Sequence, residues 1–298
     1  LTGLAENDYI EVKTKRTTTN HRNDTQLQTT SLYVEKIDSS RTVFSGTATR
    51  TVANANLNGN ASPLQWTSGR KDSGFIHSAN GHEITLDAAG NYMVYVNLPI
   101  NGGGGRGSIA IQAKLNGTVF EDSLAQQGYI RNADGHKDAS VHWAGLITAT
   151  AGQKLTIDAS KRAAGGTIKV PSGSKASIFV EKLSGATDVF VGRSSQINNS
   201  AKWYYNPDSK TAVSWNGGGS GVIKDENIYT HSLTDNNHNV TIKKAGHYLM
   251  ALNLTTKNGS ARSNPRVTVQ VNGADVVGAE TKSFYNRRAS GHDEASGS

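Results

Sequence analysis

Cysteine is absent from all 298 residues, which rules out both a disulfide framework and any thiolate metal site, so stability has to come from packing and assembly. Proline is scarce, five residues against 32 glycines, so turns must be made by Gly, Asn and Ser rather than by rigid Pro corners. Long apolar runs are missing too. No stretch approaches the roughly 20 consecutive apolar residues of a membrane-spanning helix, and no membrane partner is expected. No basic-then-apolar leader precedes the first turns, and the chain opens on Leu1, which reads either as processing or as part of a longer chain. Acidic charge is in modest deficit, 24 Asp and Glu against 31 Lys and Arg, a net charge of +7. The basic residues are scattered and alternate with apolar ones, as in Glu11-Val12-Lys13-Thr14-Lys15-Arg16. That is the wet face of a strand, not an aromatic-interleaved phosphate-binding run, and no specific nucleic-acid partner is expected.

What the sequence does contain is itself, twice. Residues 83–98 align without a gap on 239–254, sharing Thr85/Thr241, Ala89/Ala245, Gly90/Gly246, Tyr92/Tyr248, Asn97/Asn253 and Leu98/Leu254. Both copies read as strand, Ala-Gly turn, strand. At the same spacing, Tyr129, Arg131, Gly135 and His136 match Tyr285, Arg287, Gly291 and His292, and the Asn116-Gly117 hairpin signal matches Asn272-Gly273. Trp66 corresponds to Trp215. The N-terminus completes the period: 31–37 (Ser-Leu-Tyr-Val-Glu-Lys-Ile) resembles 177–183 (Ser-Ile-Phe-Val-Glu-Lys-Leu). A repeat of this length marks a whole domain as the unit.

The chain therefore reads as a tail (1–38), a complete unit (39–185) and a head (186–298). Head and tail together come to 151 residues against 147 in the complete unit. Each alone would leave half a core and raw sheet edges exposed, so each needs a complement. The expectation is a second domain made of 186–298 plus 1–38, completed within one chain by the match of lengths or by a neighbouring chain. Ile10, Val12, Leu32, Val34 and Ile37 stand in that domain where Leu155, Ile157, Ile178, Val180 and Leu183 stand in the first.

Strand-like runs recur through the complete unit at 42–44, 64–66, 74–77, 82–86, 91–98, 109–115, 141–149, 154–158 and 176–183, with polar turns between them and no helical period with caps. The fold class is all-β: two antiparallel jelly-roll sandwiches in tandem, one split between the two ends of the chain. The sequence Gly90-Asn91-Tyr92-Met93-Val94-Tyr95-Val96, then 109–115 leading to Asn116-Gly117, then Gly152-Gln153-Lys154-Leu155, then the closing strand 177–183 resembles the landmarks of tumour-necrosis-factor-like and complement-collagen-head jelly rolls. The resemblance spans the whole middle unit. It departs at Gln153, where the family carries Asp, although Asp8 keeps that residue in the tail copy. It implies a ten-stranded sandwich that trimerises. The closing strand and the Arg-Asn-x-x-Gly-His loop are similar to tandem jelly rolls of bacteriophage, especially marine phage, structural proteins.

Catalytic constellations are not evident. No Gly-x-Ser-x-Gly elbow occurs. His136 with Asp138, and His292 with Glu294, offer two ligands each where a zinc site takes three or four, and read as structural turns. The run 102–107 lacks the Gly-Lys-Ser/Thr ending of a phosphate cradle and reads as a flexible strand connection. Trp66 and Trp215 read as buried core anchors rather than sugar-stacking platforms. Tyr129, Arg131, His136, Tyr285, Arg287 and His292 are the candidate partner or intersubunit contacts, because the Arg and His of these loops are the members least explained by folding. The expected function is that of a non-enzymatic virion structural protein without cofactor: a capsid decoration, head-fibre or tail-fibre protein. It would form a homotrimer and contact other virion proteins such as the major capsid protein. The alternative is a secreted or cell-surface module that binds glycans or proteins.

Overall fold

The computed structural model describes residues 37, 39–48, 61–79, 81–103, 106–120, 123–131, 137–162, 167–169, 176–184, 188–193, 212–215, 222–257, 267–281 and 294–297. Thirteen strands follow one another through the middle repeat: β1 (Thr42–Ala48), β2 (Ser62–Pro63), β3 (Trp66–Lys71), β4 (Phe75–Ile76), β5 (Ile84–Leu86), β6 (Gly90–Gly103), β7 (Arg106–Leu115), β8 (Thr118–Val119), β9 (Ala125–Arg131), β10 (Asp138–Ala149), β11 (Gln153–Lys161), β12 (Thr167–Lys169) and β13 (Ser177–Lys182). They form two antiparallel sheets. One has the order β10-β6-β13-β1-β3 with β12 added to β6, and the other the order β4-β5-β11-β7-β8 with β2 on β11 and β9 on β7.

Period-2 patterning explains why these segments pair as they do. Along β6 the side chains of Tyr92, Val94, Val96, Leu98 and Ile100 are buried while those between them are half-exposed, as in a sheet wet on one face. They meet Ile109, Ile111, Leu155 and Ile157 of the other sheet in one hydrophobic core with Phe44, Trp66 and Val180. Each such side chain contributes about 1.5–3 kcal/mol by leaving water. The Asn116-Gly117 turn closes β7 onto β8 with both residues at positive φ, 49° and 79°, as a type I′ hairpin requires.

Strand β6 lies in the first sheet and β7 in the second, so the glycine-rich run at 102–107 carries the chain from one sheet to the other. A Cβ at Gly102 would stand 2.7 Å from Ile130 Cγ2, and one at Gly107 would stand 2.6 Å from Ile168 Cδ1. These glycines therefore permit close packing at the crossover, a role more specific than flexible connection. Strands β2, β8, β9 and β12 had no counterpart among the strand runs expected from the sequence, and the resemblance implied ten strands where thirteen form among the described residues. The surplus lies in two- and three-residue ladders such as β2, β8 and β12.

By compactness the chain divides into Leu1–Lys182 with Ala251–Ser298 and, separately, Leu183–Met250. The second of these units holds β14 (Phe190–Val191), β15 (Ile223–Lys224), β16 (Tyr229–Thr230) and β17 (Thr241–Ile242); β18 (Leu254–Lys257), β19 (Val267–Val271), β20 (Ala274–Thr281) and β21 (Glu294–Gly297) follow. Their ladders copy those of the middle repeat residue for residue. Tyr229↔Ile242 repeats Phe75↔Leu86, and Phe190↔Lys224 repeats Phe44↔Lys71. Leu254↔Gly297 repeats Leu98↔Val141, and Gln270↔Asp275 repeats Lys114↔Val119. The tandem relation is thus one of register as well as of sequence.

Candidate interaction face

Two constellations stand out, one internal and one on a surface. The internal one begins with His77, whose Nδ1 lies 2.9 Å from the Glu83 carbonyl and whose Nε2 lies 2.9 Å from the Trp66 carbonyl. A neutral ring donates to one of these acceptors and an imidazolium to both. The ring also meets Phe44 edge-on at 5.0 Å, and Phe44, Phe75 and Tyr92 continue the contact at 6.1 and 5.9 Å. The copy in the second unit is complete: His231 faces the Asn239 and Trp215 carbonyls at 2.8 and 2.6 Å, and meets Phe190 at 5.2 Å. Phe190, Tyr229 and Tyr248 then follow at 6.0 and 6.1 Å. Tyr92 donates to the Ala88 carbonyl as Tyr248 does to that of Lys244, and burial raises the Tyr92 phenol pKa above its ordinary value. These histidines fix strand ends; with both nitrogens occupied by backbone, neither is free for chemistry.

The surface constellation is the outer face of the β10-β6-β13-β1-β3 sheet. Because β6 buries its even-numbered side chains, Tyr95 and Asn97 emerge on the opposite side. The registers Phe179↔Tyr95, Ser177↔Asn97 and His142↔Asn97 gather Phe179, Ser177 and His142 beside them. The Tyr95 and Phe179 rings lie 6.1 Å apart. With Ser45 and Thr47 of β1 they line an open hollow of ≈ 700 Å³. Its described lining residues include no Asp, Glu, Lys or Arg.

Two features set this face apart. Asn97 Oδ1 is buried with no hydrogen-bond partner among the described residues, and so is Oδ1 of its repeat counterpart Asn253. An unpaired buried acceptor costs about 1–3 kcal/mol, which a donor from a partner would recover. The second feature is His142, which is exposed yet loses enough water to its surroundings that its pKa falls below the ordinary 6.5. A depressed histidine favours the neutral ring, so whatever stability depends on it is complete above about pH 6.5 and is lost as acid forces the proton on. In a pH titration followed by the His142 ring-proton NMR signal, the midpoint is expected below that of an unfolded-peptide histidine. A midpoint at or above the peptide value would contradict the desolvation.

The sequence-predicted contact residues are placed as follows. Tyr129 and Arg131 lie on the backbone of β9, where Arg131 pairs with Arg106 of β7. His136, Tyr285, Arg287 and His292 lie outside the described residues. Asp138, suggested as a turn carboxylate, accepts a hydrogen bond from Asn101 Nδ2 at 2.6 Å. Among the described residues no group of three or more His, Asp or Glu converges as a metal site. Trp66 is fully buried as expected, whereas Trp215 is only half-buried. The difference is in its surroundings, since Trp66 sits between two sheets, whereas the described residues of the second unit form only short two-stranded ladders. Tyr95, His142 and Phe179 were missed. The signal was available: Tyr95 and Phe179 are aromatic residues at positions that strict alternation assigns to water.

No family model matches the chain, and no curated protein matches it. Among solved structures, it is similar to murine APRIL crystallised at pH 8.0, at 14% identity over 48% of this chain and 99% of that one, with a TM-score of 0.32. It is likewise similar to the Eiger TNF of S. frugiperda, at 16% identity over 50% of this chain and 96% of that one, with a TM-score of 0.36.

Proposed function

We propose that this chain is a non-enzymatic structural protein of a virion, a capsid-decoration or fibre component that assembles through its jelly rolls as a homotrimer. The observation that carries the self-association is the charge-free face of Tyr95, Asn97, His142 and Phe179. Charged residues are depleted and aromatics enriched at the centres of protein interfaces, and closed cyclic symmetry buries such a face without open-ended aggregation. The three-fold order is implied by the family resemblance of 90–96 and 177–183, and the virion setting by the resemblance of the repeats to phage structural proteins. Fold analogy alone licenses little about function, so both are put to experiment. Light scattering and sedimentation of the purified protein are expected to return a trimer at micromolar concentration. Replacing Tyr95 or Phe179 by Glu is expected to give monomers with an unchanged far-UV spectrum, and wild-type protein that is already monomeric overturns the assembly. The virion assignment is tested by proteomics of purified particles from the source virus and by whether the coding sequence lies among capsid and tail genes.

A second reading draws on the same hollow. Half-exposed Tyr95 and Phe179 beside hydroxyl and amide groups form the kind of surface on which a sugar ring stacks. Saturable binding on a glycan array by a monomeric protein, abolished by Tyr95→Ala, would favour a secreted or cell-surface binding module over the virion reading.

A further inference from the structure

The second unit reproduces the aromatic cluster of the first but not its cover. In the middle repeat, Tyr92 and Val94 are completely buried, while their counterparts Tyr248 and Met250 are 43% and 58% exposed, with Leu249 between them at 67%. The reason lies in the ladders. Strand β6 is paired on both sides across 92–97, by β10 and by β13, whereas among the described residues no ladder runs along 248–253. A second edge is open in the same unit. Strand β1 pairs with both β3 and β13, but among the described residues its counterpart β14 pairs only with β15, the counterpart of β3. Both edges that flank β13 in the middle repeat are therefore present in the second unit, tied together through the Phe190–Tyr229–Tyr248 ring contacts. Among the described residues no strand lies between them.

The sequence of such a strand is in this chain. Residues 31–37 repeat the β13 segment, including its Val-Glu-Lys core, with Leu32 and Val34 where Ile178 and Val180 fill the first core. We infer that the open slot beside Tyr248–Met250 accepts the 31–36 strand of a second copy of this chain, with Lys36 opposite Tyr248, Glu35 opposite Leu249 and Val34 opposite Met250. That register is carried over from Lys182↔Tyr92, Glu181↔Met93 and Val180↔Val94. A second copy is the occupant because Tyr248, Leu249 and Met250 present an apolar strip to solvent, which a strand supplied by another copy would cover. The chemistry is strand addition: main-chain hydrogen bonds supply affinity, and the alternate side chains Leu32 and Val34 supply specificity by entering the core. The exchange is heterologous, tail of one copy to head of the next, so it propagates along a line or closes into a ring. It stands independently of the virion reading and of the trimer face on the other repeat.

The cysteine-free chain makes the test clean. Two single variants, Glu35→Cys and Leu249→Cys, are prepared separately, mixed and mildly oxidised. Residues 35 and 249 lie on the outer face of the proposed ladder, so neither change disturbs the core. The expected result is a disulfide-linked dimer that joins residue 35 of one chain to residue 249 of another by peptide mass mapping. The mixture of Glu35→Cys with Met250→Cys, whose side chains point to opposite faces, should give at least tenfold less. Equal yields in the two mixtures overturn the register. An intrachain bond in the double variant, with no dimer from the mixed singles, overturns the second copy as occupant. A measurement without substitution guards against misfolded variants. Amide exchange across 248–253 in the wild-type chain should slow as concentration rises, and rapid or concentration-independent exchange overturns the proposal.

Discussion

Trp66→Ala is expected to lower the stability of the middle jelly roll by about 3–5 kcal/mol, while Trp215→Ala lowers that of the second unit by about 1–2 kcal/mol. Trp66 is completely buried, and deleting its indole both forfeits transfer energy and leaves a cavity that two packed sheets cannot close. Its Nε1 has no hydrogen-bond partner among the described residues, so no polar contact is lost and the effect is one of packing. Trp215 is half-buried and its site can collapse. Denaturant unfolding of the two variants, followed by the fluorescence of the tryptophans that remain, separates the effects. Equal losses at both sites would mean that Trp215 is enclosed as deeply as Trp66 in solution.

His77→Ala is expected to cost about 2–4 kcal/mol, and His231→Ala less, about 1–2 kcal/mol. His77 is bracketed by two backbone carbonyls and stacked edge-on against Phe44, so alanine removes the ring's donor from between them and an aromatic contact in one change. The carbonyls belong to Trp66, which opens β3, and to Glu83, which immediately precedes β5. The ring therefore ties the first sheet to the second. His77→Gln, which can still donate to one carbonyl, should recover part of the loss. Differential scanning calorimetry of the three variants measures the order, and a stability of His77→Ala equal to wild type would show that water replaces the imidazole without penalty.

These two sites show what the sequence made legible and what it did not. The repeat, the all-β class and most strand centres could be read because alternation and turn chemistry are local: Ile84-Thr85-Leu86 alternates in the sequence and in the fold, and both Asn-Gly pairs adopt positive φ. Trp66 and Trp215 looked equivalent because local sequence cannot show how many strands surround a residue. The role of His77 was hidden for the same reason. Its partners at 66 and 83 are set by the meeting of two sheets, and the matching histidine at 231 lies outside the aligned segments 83–98 and 239–254. The outer-face cluster failed differently. Tyr95, His142 and Phe179 come from three strands brought side by side by β6, and the reading gave weight to residues matched between copies. Tyr95 corresponds to Ala251 and Phe179 to Tyr33, so half of that pair escaped the comparison.

The identity of register between the two copies also bears on how the chain reaches its fold. A ladder such as Phe75↔Leu86 and its copy Tyr229↔Ile242 present the same backbone pattern, so a strand from one repeat is an acceptable guest in the sheet of the other. Sorting then depends on side chains, on volume at Val94 against Met250 and Leu86 against Ile242 and on charge at Asp87 against Lys243. During refolding the wrong strand lies on the same chain at an effective concentration that dilution cannot lower. Transiently mispaired species should therefore persist even at nanomolar protein, and synthesis from one end, which lets 39–185 close before the later strands emerge, is the route that avoids them.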